Sequence, residues 1–223
     1  RMGAGRARRA ERFQCVRTYP WRGLEAGRAL ARKQGLRGRR GAGVKAHPAD
    51  TDKEIELLIA AANANPDVVS AVIVGNETLL RKEITGTRLA ALITRVKSQV
   101  EVPVTYADVW DFWLQHPEVA PVVDFLTIHL LPYWEDNPRG IDDALAHVAD
   151  VRRQFGLRFA PKGILIGETG WPSEGRQRET AVPSRVNEAR FIRGFVAMAE
   201  QNGWRYNLIE AFDQPWTRAN EGA

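Results

Sequence analysis

The chain has 223 residues, 44% hydrophobic and 26% charged, the composition of an ordinary soluble globular protein long enough for one large domain or two small ones. No run of about 18 apolar residues occurs, which excludes a membrane-spanning helix, and four His and one Cys, none in ligand spacing, exclude a zinc centre and an internal disulfide. The net charge of +5 belongs to one end: residues 1–45 hold fourteen Lys/Arg against two acids, whereas the rest hold eighteen against twenty-five.

The first stretch, "RMGAGRARRAER", has no aromatic residues interleaved with its arginines. It reads as a basic, solvated or disordered segment over 1–11 rather than a nucleic-acid arm. It also lacks the apolar core of a signal peptide, so no export signal is expected in this chain, and the start on Arg1 points to a reading frame that begins upstream. A strand is predicted at "RFQCVRTY" (12–19), then at 68–75, 102–109, 122–131, 163–167 and 206–212. Several are apolar on consecutive positions, as in parallel strands buried on both faces.

Helical spacing fills the intervals. Thr51 and Glu54 stand in capping-box spacing ahead of Ile55, Leu58, Ile59 and Ala62. Leu89, Leu92, Ile93 and Val96 repeat the pattern, as do Ile141, Leu145 and Val148 behind two aspartates, and Phe191, Phe195 and Met198. Alternating β and α units predict a parallel α/β fold. One interval departs from it. "GLRGRRGAGVKAHPAD" (35–50) occupies a strand position with glycine and arginine, residues poorly suited to a buried strand interior.

Three predicted strands deliver acids at their ends: Glu77 after "VIVGN", Glu168 after "ILIG" and Glu210 after "YNLI". In parallel α/β folds these ends form the reaction face. Glycoside cleavage needs two carboxyls flanking one bond, one protonated to release the leaving oxygen and one ionised to attack or to activate water. Trp110, Trp134, Trp171 and Trp216 follow closely on predicted strands, accompanied by Tyr106 and Tyr133, and their flat rings could cover the apolar faces of sugars.

The series "VIVGNE", "TYADVWDFW", "TIHLLPYW", "IGETGWPSEG" and "NLIEAFDQPW" resembles glycoside hydrolase family 17, the β-1,3-glucanases and glucanosyltransferases, and looks closest to its bacterial members. The resemblance implies a (β/α)8 TIM barrel over residues 12–223 and a retaining double displacement without cofactor or metal. Glu77 would be the general acid/base and Glu168 the nucleophile. Asn76 would bind the sugar 2-hydroxyl, Tyr133 would hold the Glu168 carboxylate, and Arg17 would lie near the nucleophile. Tyr19, Tyr106, Trp110, Trp171, Glu210 and Trp216 would line the sugar subsites. The implied partner is a β-1,3-glucan, met by a monomer in a periplasmic, extracellular or membrane-associated setting.

Set against the family pattern, the first strand and the last helix are missing and the third strand is the anomalous Arg/Gly interval, so an incomplete barrel is expected. Three outcomes therefore stay open: hydrolysis, transfer to a second sugar, and an inactive fragment that at most binds glucan. His129, on an apolar strand with no second His nearby, reads as a core histidine.

Overall fold

The alternation in the sequence becomes an alternation of parallel strands and helices. The computed structural model describes residues 15–18, 37–42 and 48–209. In chain order these form β1 (Cys15–Thr18), β2 (Arg37–Ala42), α1 (Pro48–Asn63), β3 (Val69–Asn76), α2 (Gly86–Lys97), β4 (Val104–Val109), α3 (Trp110–Gln115), β5 (Phe125–His129), α4 (Ile141–Arg158), β6 (Gly163–Thr169), α5 (Arg185–Gln201) and β7 (Arg205–Leu208). They divide between two compact units: the described residues up to Tyr106 with Pro121–Asp124, and Ala107–Ala120 with those from Phe125 onward.

In the first unit the strands follow chain order, β1-β2-β3-β4, with β1 parallel to β2 and β2 parallel to β3. The Arg/Gly interval is thus a strand after all. A parallel ladder asks only for backbone N–H and C=O groups, and no residue of "RGRRGA" is a proline. The register with β3 shifts between Gly38 and Arg39. Strand β3 is buried along nearly its whole length, as a strand covered on both faces must be. From α1, Ile55, Leu58, Ala61 and Ala62 are buried. That helix opens at Pro48 rather than at the predicted Thr51 cap; proline's fixed φ suits a first helical position, and Thr51 ends up buried inside the first turns. Helix α2 buries Leu89, Ile93 and Val96, and its cap Thr85 accepts a hydrogen bond from the Arg88 N–H at 3.3 Å.

In the second unit the order is β4-β5-β6-β7, parallel throughout. Helix α4 buries Ala144, Val148, Val151 and Phe155, a stripe offset from the predicted Ile141 and Leu145. Leu145 faces a helix instead: a Cβ on Gly194 of α5 would lie 2.3 Å from its Cδ1, so the glycine allows α4 and α5 to approach closely. Helix α5 is capped by Ser184, which accepts from the Asn187 N–H at 3.0 Å, and buries Phe191, Phe195 and Ala199.

Neither unit reverses its strand order, as a doubly wound sheet would. Parallel neighbours in chain order with helices between them make this a partial (β/α)8 barrel. The positions of the expected missing first strand and last helix, and the basic segment 1–11, lie outside the described residues. Among the described residues no helix is long and apolar enough to cross a membrane.

Candidate active site

Strand β3 ends in a turn that few sequences tolerate. Gly75 has φ +84° and Glu77 φ +52°. A left-handed residue with a side chain costs about 1–2 kcal/mol, and such strain is held only where surrounding structure over-determines it. Here the holder is Tyr106 of β4. Its ring is fully buried, and its hydroxyl accepts the Leu79 N–H at 3.0 Å and lies 3.3 Å from the Thr78 hydroxyl. A Cβ at position 75 would meet Thr78 Oγ1 at 2.8 Å and the Tyr106 ring at 3.2 Å, so glycine is required for space as well as for φ. Tyr106→Phe is therefore expected to leave a buried N–H without its acceptor and cost about 1–3 kcal/mol, read by urea denaturation.

Arg81 closes the same turn. It donates to the Asn76 carbonyl and lies 3.7 Å from the Glu77 carboxylate. Glu83 takes its Nε and Nη2 at 3.1 and 3.2 Å. Burial works against the Arg81 charge, but the Glu83 hydrogen bond and the charges of Glu83 and Glu77 outweigh it and hold the guanidinium above its usual value. Most of that charge is answered by Glu83, leaving Glu77 the longer contact. Asn76 and Glu77 are both half-buried, so this turn presents a carboxyl and an amide side by side in the sequence.

In the second unit, β6 carries Glu168 one residue before its end. Ile166 pairs with Ile128, yet Glu168 pairs with His129, so two residues of β6 oppose one of β5. This is a β-bulge with Gly167 as the extra residue, a device that re-aims the next side chain. The Leu130 N–H donates to the Glu168 carbonyl at 2.9 Å. Glu168 Oε1 lies 3.5 Å from Nε2 of His129, whose side chain is fully buried.

The loop after β6 is bolted to the one after β5. Tyr133 Oη donates to the Arg176 carbonyl, and Arg178 Nη1 donates to the Tyr133 carbonyl at 2.6 Å while its guanidinium stands 5.8 Å from that ring. Trp171 packs edge-on to Tyr133 at 5.8 Å and tilted on Phe191 at 5.9 Å, and its indole donates to the Val182 carbonyl at 3.1 Å. Trp110 opens α3 and meets His147 edge-on at 6.1 Å. His147 Nε2 sits 2.8 Å from Glu135 Oε2. The Trp110 indole nitrogen and Glu135 Oε1 are buried without a hydrogen-bond partner, an uncommon state for buried polar atoms.

The residue pattern described as the BtgE/BtgC glycoside hydrolase domain matches residues 6–223. A crystal structure of the glycoside hydrolase family 17 β-1,3-glucanosyltransferase from Rhizomucor miehei is 31% identical, with a TM-score of 0.79 over 91% of this chain and 77% of that one. The chain belongs to glycoside hydrolase family 17. An endo-laminarinase from Formosa, 20% identical with a TM-score of 0.75 over 94% of this chain and 72% of that one, shares the fold. Among curated relatives, a glucan 1,3-beta-glucosidase of Arthroderma benhamiae is 28% identical over 73% of this chain and 56% of its own length. One from Schizosaccharomyces pombe is 29% identical over 67% and 50%. The family 17 domain thus spans about half the length of the curated relatives it matches.

Within the domain the expected site residues separate into groups. Asn76, Glu77 and Tyr106 come together at the β3 turn, and Tyr133 and Trp171 come together behind the loop that follows Glu168. Tyr106 and Trp171, expected to line the sugar subsites, are 0% and 2% exposed, and both hydrogen-bond to backbone groups of the protein. Arg17 lies in β1, its backbone paired with Arg39. Tyr19, Glu210 and Trp216 lie outside the described residues. Arg81, His129 and the Glu135–His147 pair escaped the sequence reading. Only His129 left a trace there, as a polar residue on an apolar strand.

Proposed function

We propose that this family 17 domain cleaves β-1,3-glucan with retention of configuration, through a glycosyl-enzyme on Glu168. The observation that carries the reading is the delivery of each acid by a local backbone distortion at the C-terminal end of a parallel strand: φ +52° at Glu77 and the bulge at Gly167 before Glu168. Ionised Glu168 attacks the anomeric carbon while Glu77 gives its proton to the departing glycosidic oxygen. Glu77 then takes a proton from the incoming hydroxyl as that oxygen displaces Glu168. Retention requires the two carboxyl groups to flank one bond at about 5–5.5 Å. Asn76 is assigned to the 2-hydroxyl, Tyr133 to the Glu168 carboxylate once its hydroxyl turns from the Arg176 carbonyl, and Arg17, Tyr19, Trp110, Glu210 and Trp216 to the sugar subsites.

The substrate class is supported by the glucan 1,3-beta-glucosidases among the relatives. The likeness to a glucanosyltransferase favours a second reading, in which a sugar hydroxyl rather than water resolves the intermediate. The partner assigned is the glucan chain alone, with a monomeric protein and no nucleic acid; a basic segment 1–11 would precede one catalytic domain over 12–223. Incubation with laminaripentaose, with product lengths read by mass spectrometry, separates the readings. Shorter products alone mean hydrolysis, and products longer than the substrate mean transfer. Substrate left intact but bound would overturn both in favour of a binding fragment.

A further inference from the structure

We infer that His129 is a positioning residue for Glu168, its imidazole Nε2–H holding one carboxylate oxygen so that the other faces the anomeric carbon. The inference rests on Glu168 being the nucleophile. A fully buried imidazole on a strand of apolar neighbours is costly unless its ring nitrogens are hydrogen-bonded. Glu168 Oε1 lies 3.5 Å from its Nε2. That separation is longer than the usual 2.7–3.2 Å of an N–H···O bond, and contacts of this kind often tighten only when substrate is bound.

The backbone is arranged around this approach. Gly167 is the extra residue of the bulge, and its φ is not left-handed, so its glycine identity needs another cause. A Cβ there would lie 2.9 Å from His129 Cδ2, 3.2 Å from His129 Nε2 and 2.5 Å from Thr127 Cγ2. Any side chain at 167 would collide with Thr127 and with the imidazole, forcing one or both to shift. One contact therefore accounts for two oddities of the sequence, a histidine and a glycine in adjacent apolar strands. The Leu130 N–H bond to the Glu168 carbonyl fixes the two backbones in that register.

The test uses 2-deoxy-2-fluoro-β-laminaribiosyl fluoride. A Glu168 oxygen bonds to the anomeric carbon as the carbon–fluorine bond breaks and fluoride leaves with the electron pair, so no acid is needed and labelling reports the nucleophile alone. His129→Gln keeps a donor at similar reach, and His129→Met has nearly the shape of that glutamine without the donor. His129→Met is expected to label about 10²-fold more slowly, and His129→Gln at close to the wild-type rate, with unchanged circular dichroism and Tm in both. Should the methionine variant fail to fold, His129→Asn, whose amide falls short of the acid, takes its place. Undiminished labelling without the donor, or equally slow labelling by the folded Gln variant, would overturn the role of His129. A wild-type chain that acquires no label on Glu168 would instead overturn the nucleophile assignment itself.

Discussion

Glu168→Gln is expected to lower turnover of laminaripentaose by roughly 10⁶-fold, the order of loss when a covalent nucleophile is removed. The amide is neutral and close to isosteric, so it preserves the packing around His129 and Gly167 while losing the charge that attacks carbon. Folding should therefore be little affected: the acid side chain is 12% exposed, and glutamine can occupy the same volume. The decisive comparison is between activity and Tm. Lost turnover with a Tm near that of wild type is the predicted result, whereas turnover within about tenfold of wild type would be too small a loss for a covalent nucleophile.

Glu77→Gln separates two steps that Glu168→Gln cannot. On laminaripentaose the loss should be about 10²–10⁴-fold, the usual contribution of a general acid. A 2,4-dinitrophenyl β-laminaribioside needs no proton on its leaving group, so its first step should proceed at close to the wild-type rate. The second step still needs a base, and stopped-flow measurement should show a burst of dinitrophenolate equal to the enzyme concentration. Azide, which needs no base, should then release the trapped enzyme. Equal slowing on both substrates with no burst would remove Glu77 from the acid/base role. The turn that carries it is strained and held by Tyr106, so Tyr106→Phe should weaken the same step in addition to its cost in stability.

The fold was legible in the sequence where a residue pattern speaks for itself. Runs such as "VVSAVIVG" read as strands covered on both faces, and Phe191 and Phe195 at helical spacing are buried as that spacing requires. The strand Arg37–Ala42 was not legible, because its place in the ladder is set by backbone groups paired with β1 and β3 and not by its side chains. For the candidate site, the sequence put Glu77 just after one strand and Glu168 at the end of another, and the structure has them there, after β3 and near the end of β6. Burial was not readable from position: Tyr106 in β4 and Trp171 after β6 are enclosed by Leu79, Thr78, Phe191 and Val182 through contacts that depend on loop paths, whereas Trp110, just after β4, is half-buried. His129 stayed hidden for a related reason. Its neighbour is 39 positions away, and a one-residue bulge brings the two into register.

The central claim is that Glu77 and Glu168 act together on one β-1,3-glucosidic bond with retention. The most direct measurement is proton NMR of the reducing-end anomer released from laminaripentaose in the first minutes, before mutarotation equalises the two forms. The account predicts that the β anomer appears first and the α anomer follows. Initial release of the α anomer would mean direct attack by water and carboxyl groups set about 6.5–9.5 Å apart, and would contradict a glycosyl-enzyme on Glu168.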